Sequence, residues 1–178
     1  MICLEAHPAV VREWQDEDAS ELCLQANDRR VSRNLRDAFP YPYGIEDAVA
    51  FIAMARKKSP PTFFAIEVDR CVAGGIGYTL HRDVERVSAE VGYWIGYEFW
   101  GRGIATAALR AITRHAFRAH GEIRRLYAVP FATNPASARV LQKAGYAYEG
   151  TMRQAVVKEG QVLDQWMYAI VREDLEDR

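Results

Sequence analysis

The chain has 178 residues, 49% of them hydrophobic and 26% charged, with a formal net charge of −1. That suits one domain over residues 1–178 and leaves no basic stripe for nucleic acid; Cys3, Cys23 and Cys71 lack a Cys-x-x-Cys pair, so neither a disulfide framework nor a metal site is expected. Met1-Ile2-Cys3-Leu4-Glu5 reaches an acid at once and no apolar run approaches the ~20 residues of a membrane helix, so the expectation is a cytoplasmic monomer or homodimer without a membrane partner.

Val10 to Trp14 reads as a first strand, and Asp16 to Ala26 as a helix with acids in its first turn and Ala19, Leu22, Cys23 and Ala26 on one face. Asn34 to Gly44 contains Pro40 and Pro42 and cannot continue a helix. It is a stiff aromatic loop, either a lid over the core or one wall of a substrate pocket presenting Tyr41 and Tyr43. Ile45 to Lys57 is a second helix, stopped by Ser59-Pro60-Pro61. Thr62 to Val68 and Cys71 to Leu80 are strands joined by a tight turn at Asp69-Arg70, and Gly74, Gly75 and Gly77 in the second suggest a bulge or a close backbone approach. His81 to Ser88 is a polar turn.

Ala89, Val91, Tyr93 and Ile95 then alternate as in a strand with one face buried, whereas from Ile104 the apolar positions Ala105, Ala108, Leu109, Ile112, Ala116 and Phe117 recur at three- and four-residue steps. Arg125 to Val129 is a strand following a break at Gly121. Asn134 to Gly145 is a short helix with an Asn cap, Pro135 at its first position, Lys143 in its last turn and Gly145 after it. Tyr146 to Val157 and Val162 to Val171 form a hairpin closing at Glu159-Gly160. The order is β-α-α-β-β-β-α-β-α-β-β.

Between the central strand and the long helix lie Gly96, Gly101 and Gly103. The first turn of a helix leaves N–H groups without intrahelical partners, and its dipole adds partial positive charge, so this turn reads as an anion cradle. A turn that needs glycine for geometry alone is the plainer alternative. Gly101-Arg102-Gly103-Ile104-Ala105-Thr106 lacks the third glycine of a dinucleotide fingerprint, and no Gly-Lys-Ser/Thr of a P-loop occurs.

The stretch EVGYWIGYEFWGRGIATAAL resembles motif A of the GNAT N-acetyltransferases, a Gln/Arg-x-x-Gly-x-Gly/Ala turn that holds the pyrophosphate of acetyl-coenzyme A. Trp100-Gly101-Arg102-Gly103-Ile104-Ala105 aligns with it, Trp100 standing where the family has Gln or Arg. Asn134 to Tyr146 is similar to the superfamily's Asn-x-x-Ser-x-x-Val/Leu-x-x-Lys-x-Gly-Phe/Tyr segment, and its Ser form, with FPYPY upstream and Asp164-Gln165-Trp166-Met167-Tyr168 downstream, looks most like the RimJ/RimL branch of ribosomal-protein N-terminal acetyltransferases. The resemblance spans about Val11 to Val171. It implies an α+β fold with α/β layering: a mixed, mostly antiparallel sheet of about six to seven strands with about four flanking helices and a V-shaped opening between the two central strands. It also implies acetyl-coenzyme A as cosubstrate, bound by Ile95, Trp100, Gly101, Arg102, Gly103, Ile104, Ala105, Thr106, Asn134 and Ser137.

Acetyl transfer from a thioester to an amine needs a neutral amine, a polarised carbonyl and a proton for the leaving thiolate. An amine with a pKa near 8 to 10 is largely protonated at neutral pH, so a base helps, typically by ~10²–10⁴-fold. Glu90, at the start of the central strand on the face opposite Val91 and Tyr93, is the candidate base, and a solvated strand-edge acid is the alternative. Main-chain N–H groups near Ile95 would polarise the carbonyl. The family often uses a Tyr on the helix after the Asn as the acid; Leu141 occupies that region, and Ser137 is named in its place. Tyr41, Tyr43 and Tyr93 are assigned to the acceptor, while Asp164 and Tyr168 are read as structural. The acceptor is expected to be a protein N-terminal amine, with a small-molecule amine or a non-catalytic acyl-coenzyme A-binding role as alternatives.

Overall fold

The computed structural model describes residues 2–176. Eight strands form one sheet in the order β1-β2-β3-β4-β5-β6-β8-β7. They are β1 (Cys3–Ala6), β2 (Ala9–Glu13), β3 (Phe63–Val68), β4 (Cys71–Leu80), β5 (Ser88–Ile95), β6 (Arg125–Ala128), β7 (Ala147–Lys158) and β8 (Gln161–Val171). Every neighbouring pair is antiparallel except β5 and β6, which are parallel. A parallel pair needs a crossover, and the long helix supplies it.

The helices are α1 (Ala19–Ala26), α2 (Arg29–Ser32), α3 (Ile45–Arg56), α4 (Ile104–Ala119), α5 (Pro135–Ala144) and α6 (Glu173–Glu176). Against α4 and α5 the sheet buries Val11, Phe64, Ile66, Tyr78 and Val91; the helices contribute Ile104, Leu109, Ile112, Phe117 and Leu141. On its other face Trp14, Ala65 and Val72 meet Leu22 and Ala26 of α1 and Ala48, Ile52 and Ala55 of α3. The expected α+β layering holds.

Three local expectations are corrected. The sheet has eight strands where six or seven were expected, because Cys3–Ala6 pairs with β2 as a four-residue edge strand too short to carry a legible alternation. The helix expected from Asp16 begins as a 3₁₀ turn, Asp16–Asp18, with α-helix only from Ala19. Asp18 accepts the Gln15 N–H at 2.8 Å and receives both terminal nitrogens of Arg12 at 2.8 Å, so it is held as a cap. The two four-residue helices α2 and α6 were not expected; Asp28 caps α2 by accepting the Arg30 N–H at 2.7 Å.

The close approach expected at the β4 glycines is real at Gly74, where a Cβ would sit 2.2 Å from the Trp94 carbonyl oxygen. Any other residue there would push β4 off β5. β5 therefore stays paired with β4 as far as Gly74↔Ile95, whereas its pairing with β6 stops at Glu90↔Tyr127. Beyond that point the chain after β6 follows β8: Trp166 donates to the Pro130 carbonyl at 3.0 Å, Ala132 to that of Asp164 at 2.9 Å, and the Gln165 side chain to that of Val129 at 2.9 Å. With these partners committed to β8, β5 and β6 splay apart. The V-shaped opening follows from that divergence.

Candidate active site

A cleft of about 1140 Å³ passes through the V and reaches both faces of the sheet. On the α4–α5 side its floor is the turn between β5 and α4. Gly101 and Gly103 adopt φ of +76° and +77°, and a Cβ on either would meet nothing within 4 Å. Only glycine takes that conformation cheaply. The first helical bond of α4 runs from the Ala107 N–H to the Gly103 carbonyl at 3.1 Å, so the N–H groups of Ile104, Ala105 and Thr106 lie ahead of the intrahelical ladder. Open space above two left-handed glycines, beside free helical donors and the positive end of a 16-residue helix, fits a pyrophosphate.

Trp100 has a role that the motif alone does not disclose. Its indole N–H donates to the Ile95 carbonyl at 2.7 Å and its ring packs against Tyr97 at 5.1 Å, pinning the start of the cradle to the end of β5. Ile95 and Ile104 bury their side chains in the core, so what they offer the cleft is main chain. Arg102 lies over the Phe99 ring at 5.4 Å with its guanidinium 3.9 Å from Asp69, partly exposed at the rim.

Across the V, Asn134 caps α5 by accepting the Ser137 N–H at 3.2 Å. The Ser137 hydroxyl lies 2.9 Å from that of Tyr93. Burial pushes the Tyr93 hydroxyl far above the ordinary phenol range, so it stays protonated, and Ser137 only partly offsets this. Tyr93 shares the α4–α5 face with Val91 and Ile95. It is placed with Ser137 and not with the aromatic loop.

Glu90, Gly92 and Trp94 point to the opposite face by the two-residue period of β5. Glu90 sits at the apex, where β5 and β6 part, and Arg36 of the loop after α2 holds its carboxylate in an ion pair. Beside it Tyr127 bonds His81 Nε2 at 2.8 Å, and burial followed by the Glu90 charge raises the Tyr127 hydroxyl. Tyr43 lines this side but is buried, its hydroxyl pushed up to about 12 by burial with a contribution from Asp47. Tyr41 is 51% exposed and does not line the cleft. Tyr168 is buried against β6 and β7, and Asp164 accepts the Gln154 N–H at 2.7 Å within the hairpin. Among the described residues no cluster of three or more His, Cys, Asp and Glu side chains has the geometry to hold a metal, and no helix is long and apolar enough to cross a membrane.

Sequence reasoning missed Arg36, Phe39 and Trp94. Arg36 meets Glu90 across 54 positions of chain, a separation that no periodicity reports. The alternation of β5 carried a usable signal for Trp94, since it falls on the Glu90 face.

Residues 9–147 match the sequence profile of the acetyltransferase (GNAT) domain. Over 172 residues the chain is 29% identical to the uncharacterized N-acetyltransferase YoaA of Bacillus subtilis (strain 168), covering 95% of this chain and 96% of that protein. A 68-residue segment is 37% identical to the ribosomal-protein-serine acetyltransferase of Escherichia coli (strain K12), covering 38% of this chain and 37% of that one. The fold superposes with a TM-score of 0.84, at 22% identity, on the solved structure of RimL, a ribosomal L7/L12 alpha-N-protein acetyltransferase in complex with coenzyme A, covering 96% of this chain and 98% of that chain.

Proposed function

Because the chain belongs to the GNAT acetyltransferase family, we propose that it transfers acetyl from acetyl-coenzyme A directly to the α-amine of a protein or peptide N-terminus. The observation that carries this reading is the V itself, with an anion cradle on one side of β5 and a carboxylate on the other, joined by one continuous cleft. Relatives named for ribosomal-protein acetylation support a protein N-terminus as acceptor. The small-amine alternative, in its polyamine or aminoglycoside form, gains little from the acceptor side. Asp47 there is engaged by the Gly44 N–H at 2.8 Å, Glu90 by Arg36.

The main-chain N–H groups of Ile104, Ala105 and Thr106, together with Gly101 and Gly103, hold the pyrophosphate, and Arg102 at the rim adds charge. When bound, acetyl-coenzyme A supplies the acetyl group as a thioester. Main chain at the end of β5, near Ile95, polarises the carbonyl. Glu90 takes one proton from the incoming ammonium, whose pKa near 8 leaves much of it charged at neutral pH. As the C–N bond forms and the C–S bond breaks, Ser137, backed by the Tyr93 hydroxyl, delivers a proton to the departing thiolate and regains one from the nitrogen, which sheds its second proton as it becomes an amide; Glu90 returns the first to solvent.

The test is thiol release with acetyl-coenzyme A and two peptides of one sequence, one with a free N-terminus and an arginine in place of lysine, the other N-terminally blocked with lysine retained. Release and a single acetyl mass on the free-N-terminus peptide alone is expected. Release with the blocked peptide, or with spermine alone, would overturn the choice of acceptor.

A further inference from the structure

On the Glu90 side of β5 the cleft continues into an aromatic compartment that acetyl transfer as such does not require. Its walls include Phe39 from the loop after α2, Phe51 of α3, Phe63 of β3 and Trp94 of β5. All four are half-buried and line the cavity, unlike the sealed core residue Ile52 beneath them. Phe39 stands edge-on to Trp94 at 5.5 Å, and Phe51 edge-on to Phe63 at 6.2 Å. Edge-to-face pairs are a favoured aromatic arrangement, and these present apolar ring surface to the cavity.

The way in is also defined. Glu90, Gly92 and Trp94 lie in line on one face of the strand, and a Cβ added at Gly92 would meet nothing within 4 Å, so the path from the carboxylate to the indole is open. The charges at this mouth are Arg33 and Arg36 against Glu90 and Asp47, so they balance. A second cation on the acceptor would find Glu90 already paired with Arg36 and Asp47 already accepting the Gly44 N–H. An apolar group would meet aromatic carbon.

We infer that this compartment receives the group carried on the carbon next to the acceptor amine, so that the enzyme acetylates amines with a large apolar or aromatic neighbour in preference to small or polar ones. For a peptide that group is the first side chain, with Phe or Leu favoured over Ser. The inference rests on the transferase reading above and deepens it. Glu90 takes the ammonium proton as before, and the compartment changes only which amine reaches it. Hydrophobic pockets discriminate by about 10- to 200-fold per methylene-scale difference. A preference of at least about tenfold in kcat/KM is therefore expected.

The experiment uses the full chain, acetyl-coenzyme A and four peptides identical except for Phe, Leu, Ala or Ser at the first position, run beside 2-phenylethylamine and ethanolamine. Products are followed by thiol release and mass. Phe and Leu peptides at least about tenfold above Ser and Ala support the compartment, and Phe39→Ala should then shrink the ratio while thermal unfolding reports whether that variant is folded. Peptides acetylated without such a preference overturn the compartment and leave the transferase reading intact. If no peptide is acetylated but 2-phenylethylamine is acetylated well ahead of ethanolamine, the compartment stands and the protein N-terminus falls. Acetylation of none overturns the compartment, since an apolar neighbour was offered on both kinds of amine.

Discussion

Replacing Gly103 by valine separates the two things this glycine does. Its φ of +77° lies in the left-handed region, where an L side chain costs about 1–2 kcal/mol and a β-branched one at least that. For a chain of this size each kcal/mol moves Tm by roughly 2–4 °C, so the strain alone should lower Tm by about 2–8 °C. Gly160, at the tip of the β7–β8 hairpin, also has φ of +77° and also has nothing within 4 Å of an added Cβ, so Gly160→Val carries the same strain away from the cleft. The assay is thermal unfolding with and without acetyl-coenzyme A. At a hundredfold excess over Kd, binding stabilises by ~2.7 kcal/mol, or about 5–11 °C here. Wild type and Gly160→Val should both show that rise, and Gly103→Val should show almost none, because its side chain fills the space that the phosphate needs. A full rise in Gly103→Val would refute the cradle.

The chemistry gives further expectations. Glu90→Gln should lower turnover by about 10²–10⁴-fold at neutral pH, with the deficit shrinking as the pH rises and the amine deprotonates unaided; a wild-type pH–rate profile would remove Glu90 from the mechanism. Ser137→Ala should slow thiol release by up to ~10²-fold, and Tyr93→Phe should slow it by less, since Ser137 loses only its 2.9 Å partner. Wild-type turnover in both variants would exclude this hydroxyl pair as the proton source. Alkaline stability follows from buried phenols: Tyr43 and Tyr78 are pushed up to about 12 by burial, from an ordinary value of 10. Above pH 10 the unfolded chain loses these protons while the fold keeps them, so stability should be intact below pH 10 and fall as the pH rises from 10 towards 12. Tm measured across that range, with tyrosinate absorbance in parallel, checks it; a flat Tm would contradict the burial.

Much of the candidate site was legible because its parts are local. The cradle is a run of seven residues whose glycines, helix start and flanking strand lie next to each other in the chain, and the Asn134–Ser137 cap is an i, i+3 contact. The hairpin at Glu159-Gly160 and the αL glycine that ends α5 are likewise short-range. What failed at this level was strength of pattern. Four residues of edge strand at Cys3–Ala6 carry too few alternations to stand out from a disordered start, and Asp18 ends a 3₁₀ turn because Arg12 on β2 holds it there.

The sequence by itself determined the order of elements apart from the short β1, α2 and α6, the two-faced alternation of β5 and a glycine turn at the start of α4, since each depends on residues a few positions apart and on periods of 2 and 3.6. Only the tertiary structure decided how these meet. Gly74 lets β4 hold β5 straight while β8 draws the chain after β6 away, and this opens the V. The same packing sends Tyr93 to Ser137, ties Glu90 to Arg36 and gathers Phe39, Phe51, Phe63 and Trp94 around one cavity. Each of those contacts joins residues from different elements, and their distance in space is fixed by the core on both faces of the sheet, not by their spacing in the chain.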